Sequence, residues 1–355
     1  EDIRTGEFEG LHGWLTENVH RHGCRYTTDD LIEEATGEAF TCKVPSTPSD
    51  SSQGVLNGIE TICQTSGVKP QAITSVMHGT TVATNAILTQ KGARVGLVTT
   101  RGYRQVLHIA RSYVPGGIGG WVIFNKQPLL ASLEDTVEAH ERIGAKGDVV
   151  TVLDEDDIRG KLQSLKEGGV EAVTVCLINA YANGEHEQRI GEIAAEVMPG
   201  IPVSLSSRVV PEMQEYERTE TTVVNSFVHP EVSSYLNHLQ KEIAHRLADD
   251  VHLSILRSDG GLAASEAAAA TPVNLLLSGP AGGVAGAIWF CSRGGFDRVL
   301  TFDVGGTSTD VALIEDSSAR LRRETQVGDV AVRAPSVDVR TVGAGGGSIA
   351  FVPEL

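Results

Sequence analysis

The chain has 355 residues, with 29 Lys+Arg against 46 Asp+Glu and a formal charge of −17. That balance excludes a nucleic-acid binder held by phosphate contacts. The length suits about two domains at roughly 150 residues each. A hydrophobic share of 41% beside 21% charged residues is that of a globular protein, and no apolar run approaches the roughly 20 residues of a membrane helix.

In chain order, residues 1–45 are charged and weakly periodic, with His20 and His22 flanking Arg21. Ile73–Met77 reads as a strand that stops at His78-Gly79-Thr80-Thr81, Val82–Gln90 as a helix, and Arg94–Thr99 as a strand. Four glycines in Gly116–Gly120 precede Trp121, and the stretch to about Ala145 reads as a long connection over a site. Asp154–Glu167 has the first-turn acids of a helix, followed by a strand at Ala172–Ile178, a helix at Glu185–Val197 and a strand at Ile201–Leu205. Glu215–Leu247 reads as a long helix interrupted at His229-Pro230. Leu253–Leu256 is a strand before the turn Ser258–Gly261, Glu266–Ala270 a helical patch, and Val284–Cys291 a helix. Val299–Asp303 and Val311–Ile314 are strands, and Thr341–Ser348 is a final glycine loop. Strands feeding Gly/Thr/Ser loops recur, and α/β folds place ligands there.

The five cysteines, Cys24, Cys42, Cys63, Cys176 and Cys291, form no CxxC pair and read as core thiols. No basic segment followed by an apolar one opens the sequence, so no secretory signal is expected. Both features fit a reducing, cytoplasmic setting.

The strongest motif is Leu300–Ile314, two apolar strands around Asp303-Val304-Gly305-Gly306-Thr307-Ser308-Thr309-Asp310. The glycines admit close backbone approach to phosphate, the hydroxyls donate hydrogen bonds, and Asp303 is placed to hold Mg²⁺ through water. A bland Gly-rich hairpin is the alternative. No Gly-Lys-[Ser/Thr] of a Walker A loop follows, and the GxGxxG spacing is absent. Nor does any Ser-His-Asp order or HExxH appear, so a hydrolase triad or zinc site is not expected.

The hairpin resembles the second phosphate motif of the superfamily containing actin, the heat-shock chaperone ATPases and the sugar kinases. More closely, the chain resembles the hydantoinase A / oxoprolinase family. The resemblance is carried by His78–Ala86, Pro211-Glu212 with Glu215–Thr219, Ser278–Val284, the hairpin, and Gly343–Ile349. It implies an α/β fold of actin-like (ribonuclease H-like) lobes with mixed sheets and flanking helices. The divisions expected are a divergent segment 1–45, a first lobe 46–272 with an inserted βα region, and the start of an incomplete second lobe at 273–355. It also implies ATP and Mg²⁺ as cofactors, a small-molecule substrate, and a hetero-oligomer with a hydantoinase B-type subunit and other subunits. Nucleic acid and membrane are not among the expected partners.

The departures are two. The first phosphate motif expected before Leu31 is replaced by Arg21–Asp29, which lacks the leading Asp and paired glycines, and the chain stops soon after its last glycine loop. Arg111–Trp121 looks more like the ATP-dependent acetone and acetophenone carboxylases than the hydantoin- or oxoproline-cleaving members. The function expected is therefore phosphoryl transfer from MgATP to a ketone enol or to bicarbonate. The alternatives are an ATP-dependent hydantoinase or oxoprolinase subunit and a nucleotide-binding subunit without turnover.

The catalytic candidates are Asp303, His78 and Arg111. His78, ahead of a helix start, suits a general base or an anion contact and equally a structural histidine. Arg111 on a glycine-rich loop offers a cation to a carboxylate, phosphate or bicarbonate. The loop reads equally as a plain connection anchored by Trp121. The nucleotide candidates are Gly305, Gly306, Thr307, Ser308, Thr309 and Asp310, with Gly345, Gly346, Gly347, Gly282 and Gly283. Asp303 is the metal candidate. Ser278–Gly283, just before a helix, suits backbone amides facing an anion, or else a closely packed helix start. Glu212, Glu215, Glu217 and Arg218 bear on the cleft or, for Glu215 and Arg218, form a surface charge pair.

Overall fold

A computed structural model describes residues 40–45, 47, 50–111, 128–247, 251–305 and 309–348. The chain divides into two compact units, residues 1–70 and 71–355. In the first, helix α1 (Ser51–Ser66) starts where the Asp50 carboxylate accepts from the Ser52 N–H at 3.0 Å. It ends at Gly67, whose φ of 73° lies in the left-handed region glycine favours.

The second unit is built around a four-stranded parallel sheet in the order β3 (Thr136–Ala139), β2 (Val95–Thr100), β6 (Ala172–Cys176), β7 (Val203–Leu205). Both β2 and β6 are buried at every residue, as central parallel strands covered on two faces must be. Successive side chains of β6 alternate between those faces. Val173 and Val175 join the apolar core beneath helices α4 (Glu155–Glu167) and α5 (Glu185–Val197). Thr174 and Cys176 turn to the other face, where helix α7 (Glu215–Arg246) crosses. There the Thr174 and Ser226 hydroxyls bond at 2.7 Å and Thr219 donates to the Cys176 thiol at 3.1 Å. Asp154 caps α4 with a 3.0 Å bond from the Asp157 N–H.

Helix α7 runs unbroken through Pro230, against the expected interruption. Phe227 and Val228 before the proline and Val232 and Leu236 after it are buried. The packing of both halves outweighs the few kcal/mol that an interior proline costs. The expected long connection to Ala145 also differs. Its described residues 128–145 include β3, which pairs in parallel with β2, and β4 (Arg142–Ile143), which pairs with β5 (Val149–Thr151).

A second sheet pairs β1 (Ser75–His78) in parallel with β8 (His252–Leu256), which runs antiparallel to β9 (Leu262–Ala264). After β1 come helix α2 (Val82–Leu88), then β2 and the short α3 (Val106–Ile109). The short α6 (Ser206–Val209) follows β7, and α8 (Ser265–Ala270) follows β9. Helix α9 (Ser278–Arg293) then leads to a third, antiparallel sheet. In it β11 (Thr309–Glu315) lies between β10 (Val299–Val304) on one side and β17 (Val339–Val342) with β12 (Ser318–Ala319) on the other. The inner face of this sheet packs Val299, Ala312, Ile314 and Val339 onto Ala281, Val284 and Ile288 of α9. The short β13 (Leu321–Arg322) pairs with β16 (Ser336–Val337), and the hairpin β14–β15 (Thr325–Val327, Val330–Val332) between them in the chain lies beside α7, with the Arg333 N–H donating to Thr221 Oγ1 at 2.8 Å.

Helix α9 begins six residues earlier than its apolar periodicity indicates. Pro280 is tolerated in the first turn, where an N–H has no helical partner to lose. The small residues around it admit the close approach of β8: a Cβ on Gly282 would stand 2.3 Å from Leu256 Cδ2.

Candidate functional site

The hairpin β10–β11 brings Asp303 opposite Asp310 and Val304 opposite Thr309. Gly305 follows β10, while Gly306, Thr307 and Ser308 lie outside the described residues. On the other edge of β11, Asp310 stands opposite Thr341 and Thr309 opposite Val342. The glycine loop after β17 then folds back over the hairpin. Gly346 N–H donates to the Gly305 carbonyl at 2.9 Å, Thr309 Oγ1 to the Ala344 carbonyl at 2.6 Å, and Gly345 N–H to Ser348 Oγ at 2.9 Å. Two glycine loops some forty residues apart in sequence thus meet at one end of one sheet.

The two carboxylates are neighbours on the same face of the hairpin, where like charges in register repel. Asp310 accepts from Thr341 Oγ1 at 2.5 Å, and Asp303 has no hydrogen-bond or ion-pair partner among the described residues. The described residues hold no cluster of three or more His, Cys, Asp or Glu arranged for a metal. Two hard oxygen donors fit a cation that completes its shell with water and phosphate oxygens, the habit of Mg²⁺.

A second group gathers where α9 starts. Ser278 Oγ donates to the Thr80 carbonyl at 3.1 Å, and the Leu277 N–H donates to Thr84 Oγ1 at 3.1 Å. Leu277 has φ 58°, uncommon for a bulky residue, and these bonds hold it there. Thr80 Oγ1 accepts from the Val82 N–H at the start of α2. The first turns of α2 and α9 therefore share one loop, Gly79–Thr81. His78 ends β1 beside it, its Nε2 bonded to the Tyr235 hydroxyl at 2.7 Å, and burial pushes its pKa down to about 4. The ring is neutral near pH 7, and its tautomer sets which partner donates in that bond: with Nε2–H donating to the tyrosine oxygen, the Nδ1 lone pair is left to accept a proton. Gly282 and Gly283 lie within α9, where amides belong to the helical ladder rather than to a loop, and Gly282 packs on Leu256.

Arg111 stands in a third place. Its guanidinium makes a bidentate pair with Glu217 of α7 at 2.7 and 2.6 Å, so its charge is already matched within the chain. Burial raises the Glu217 carboxyl, but the Arg111 bonds outweigh it and hold it below its usual value. Residues 112–127 of the glycine-rich segment lie outside the described residues. The sequence did not single out Arg333, which follows β15 and donates to Gln214 Oε1 at 2.6 Å. Gln214, just before α7, has φ 78°. No local pattern marks Arg333, because the contact joins positions 119 residues apart.

Arg218 does not form the surface pair read for it with Glu215. It is 1% exposed, with its guanidinium donating to the carbonyls of Leu177 at 2.5 Å and Glu212 at 3.1 Å and lying 5.5 Å from the Tyr181 ring centroid. It ties the end of β6 to the turn that launches α7. Nearby, Glu187 is fully buried and accepts from the Leu177 and Ser207 N–H groups and from Ser206 Oγ, and burial pushes its carboxyl up. Cys63 and Cys176 are buried thiols, Cys42 and Cys291 half-buried ones, and Cys24 lies outside the described residues. Among the described residues no helix is long and apolar enough to cross a membrane.

Residues 27–198 match the hydantoinase/oxoprolinase N-terminal region and residues 218–355 match hydantoinase/oxoprolinase. A short match over residues 1–44, to the carboxypeptidase Taq (M32) metallopeptidase, carries no argument: that stretch has no HExxH. The acetophenone carboxylase gamma subunit of Aromatoleum aromaticum is 32% identical over 348 residues, covering 92% of this chain and 46% of the relative. The caprolactamase subunit alpha of Pseudomonas jessenii is 29% identical, with 92% and 48% covered. The 5-oxoprolinase of Saccharomyces cerevisiae is 32% identical, with 78% and 23% covered. Among solved structures, ATP-dependent caprolactamase from Pseudomonas jessenii superposes with a TM-score of 0.77 at 28% identity, covering 90% of this chain and 47% of that one. Nucleotide-free acetone carboxylase gives 0.75 at 24% identity, with 85% and 44% covered, and supports the fold alone. The chain spans about half the length of the carboxylase and caprolactamase relatives, and the expected α/β class of actin-like ATPase lobes is the one these structures share.

Proposed function

Because the chain belongs to the hydantoinase/oxoprolinase family, we propose that it is an ATP-dependent phosphoryl-transfer subunit whose nucleotide phosphates lie against the β10–β11 hairpin. The observation that carries this reading is the meeting of Gly305 and Thr309 with the loop Gly343–Ser348 beside two facing carboxylates. The Gly305 backbone, together with Gly306, Thr307 and Ser308, which lie outside the described residues, is the candidate for the phosphate oxygens, since the Thr309 and Thr341 hydroxyls already donate to the Ala344 carbonyl and to Asp310. Asp303 and Asp310 are the residues for Mg²⁺, which when bound supplies charge neutralisation of the phosphates. The start of α9, where Ser278 and Gly279 carry N–H groups without helical partners, is a second place for an anion.

The reaction is transfer of the γ-phosphoryl group to an oxygen of the substrate, with ADP leaving. The acceptor in the first reading is a ketone enol or bicarbonate, a reading supported by the likeness to an acetophenone carboxylase subunit. A cyclic amide oxygen is the second reading, favoured by the equally similar caprolactamase and 5-oxoprolinase. The product is an enol phosphate from the ketone, the mixed anhydride carboxyphosphate from bicarbonate, or an imidate phosphate from the amide, and positioning and charge supply most of the acceleration. His78, neutral and hydrogen-bonded to Tyr235, suits a proton acceptor for the substrate. Arg111 serves by holding Glu217 and the start of α7 rather than as a free cation. The same reading places the lobe boundary near residues 272–273, the partners among hydantoinase B-type and other subunits, and the assembly in the cytoplasm.

ADP release by the chain with its partner subunits tests the proposal, with bicarbonate, ketone, hydantoin and 5-oxoproline supplied separately. Asp303→Asn is expected to lower substrate-stimulated release at least a hundredfold. Release unchanged in that variant refutes the hairpin site. Stimulation by hydantoin or 5-oxoproline alone rejects the carboxylase reading.

A further inference from the structure

The parallel sheet ends at β7, and a trough of about 490 Å³ runs along that edge. Its walls come from opposite faces of the sheet. Gln188 belongs to α5 on one side; His229 of α7 and Thr271 after α8 stand on the other. Its floor is β7 itself, so the trough occupies the position in which the sheet would gain a further strand.

The ladder fixes which groups of β7 face outward. Val173 N–H donates to the Pro202 carbonyl at 2.9 Å, with Thr174 in register with Ser204. In a parallel pair the polar groups alternate in direction, so those of Ser204 face β6 and those of Val203 and Leu205 face the trough. The Leu205 carbonyl is the one that opens α6. The Val203 N–H and carbonyl and the Leu205 N–H remain, in the donor–acceptor–donor spacing that a parallel strand satisfies. Ser204 stays fixed beneath, its hydroxyl accepting from Asn225 Nδ2 at 3.1 Å.

The trough also carries a cation. Arg208 lines it and has no hydrogen-bond or ion-pair partner among the described residues, in a chain of net charge −17. The neighbouring Glu192 is already bound by Arg189 at 2.9 Å. Arg208 sits in α6, which starts as β7 ends and closes that end of the trough. A strand running parallel to β7 would therefore finish at Arg208.

We propose that this trough docks an extended peptide segment with a free C-terminus, which adds to the sheet parallel to β7 and sets its terminal carboxylate on Arg208. Three main-chain hydrogen bonds hold the strand irrespective of sequence, and the guanidinium reads the chain end. The apolar walls at Ala195, Val209 and Ala270 select small or β-branched side chains.

Random tetrapeptides displayed with free C-termini, and the same library displayed through its C-termini, test this against the full chain. Wild-type chain is expected to enrich sequences from the first library only. Arg208→Ala is expected to lower the affinity of the enriched peptides at least tenfold. Val203→Pro removes an outward N–H without touching the ladder to β6, and is expected to abolish binding while leaving the circular dichroism spectrum near wild type. Absence of enrichment, equal enrichment from both libraries, or binding unchanged in Arg208→Ala overturns the proposal. So does acetate binding as tightly as the peptides and indifferently to Val203→Pro, which would leave only a small-anion site.

Discussion

At the residue scale, His78 and Arg218 show how burial sets chemistry. His78 is neutral in the fold, with its pKa pushed down to about 4 by burial, while an unfolded histidine titrates near 6.5. Because the folded value is the lower one, its contribution to stability is complete above about pH 6.5 and is lost as the pH falls toward 4, up to about 3 kcal/mol. Proton NMR of the ring should show no titration between pH 5 and 8, and a midpoint near 6.5 would remove His78 as a neutral base. Glu220, pushed up to about 7 by burial, acts in the opposite sense: its contribution is present below about pH 4.5 and lost as the pH rises through 7. Arg218→Ala removes the guanidinium from the carbonyls of Leu177 and Glu212, and is expected to lower unfolding stability by about 2–4 kcal/mol in urea titrations. A loss within about 0.5 kcal/mol would mean that water replaces the guanidinium.

At the element scale, close approach through glycine places α9. A Cβ at Gly282 falls within 2.3 Å of Leu256 Cδ2. Gly282→Ala is therefore expected to cost about 1–3 kcal/mol and Leu256→Ala a similar amount, with the double variant recovering part of the sum. Strict additivity in thermal melts would contradict a shared contact. Elements with a strong period or a fully apolar run, such as Glu185–Val197 and β2, were legible in the sequence to within a residue or two. Three features were not. Helix α9 starts in a Gly/Pro stretch that carries no helical period, because tertiary contact to Leu256 and Thr80 selects it. Pro230 reads as a break, because the burial on both sides that overrides it is not a local property. Strand β3 is only four residues long and owes its place to β2. For the candidate site, the hairpin and the last glycine loop were readable separately, but their meeting rests on the pairing of β11 with β17. The Arg111–Glu217 pair, 106 residues apart, was invisible for the same reason.

At the scale of the whole molecule, a net charge of −17 opposes the approach of a polyphosphate. On the proposed function, an ATP site here would need local neutralisation from the loop amides and from an ion held by Asp303 and Asp310. Burial of His78 and the pairing of Arg111 keep the other candidate groups from supplying it. The most direct measurement is a structure of the chain with its partner subunits, Mg²⁺ and a non-hydrolysable ATP analogue. The β- and γ-phosphates are expected against the backbone of residues 305–309, with the ion beside Asp303 and Asp310. Phosphates bound elsewhere, with the hairpin untouched, would contradict that placement.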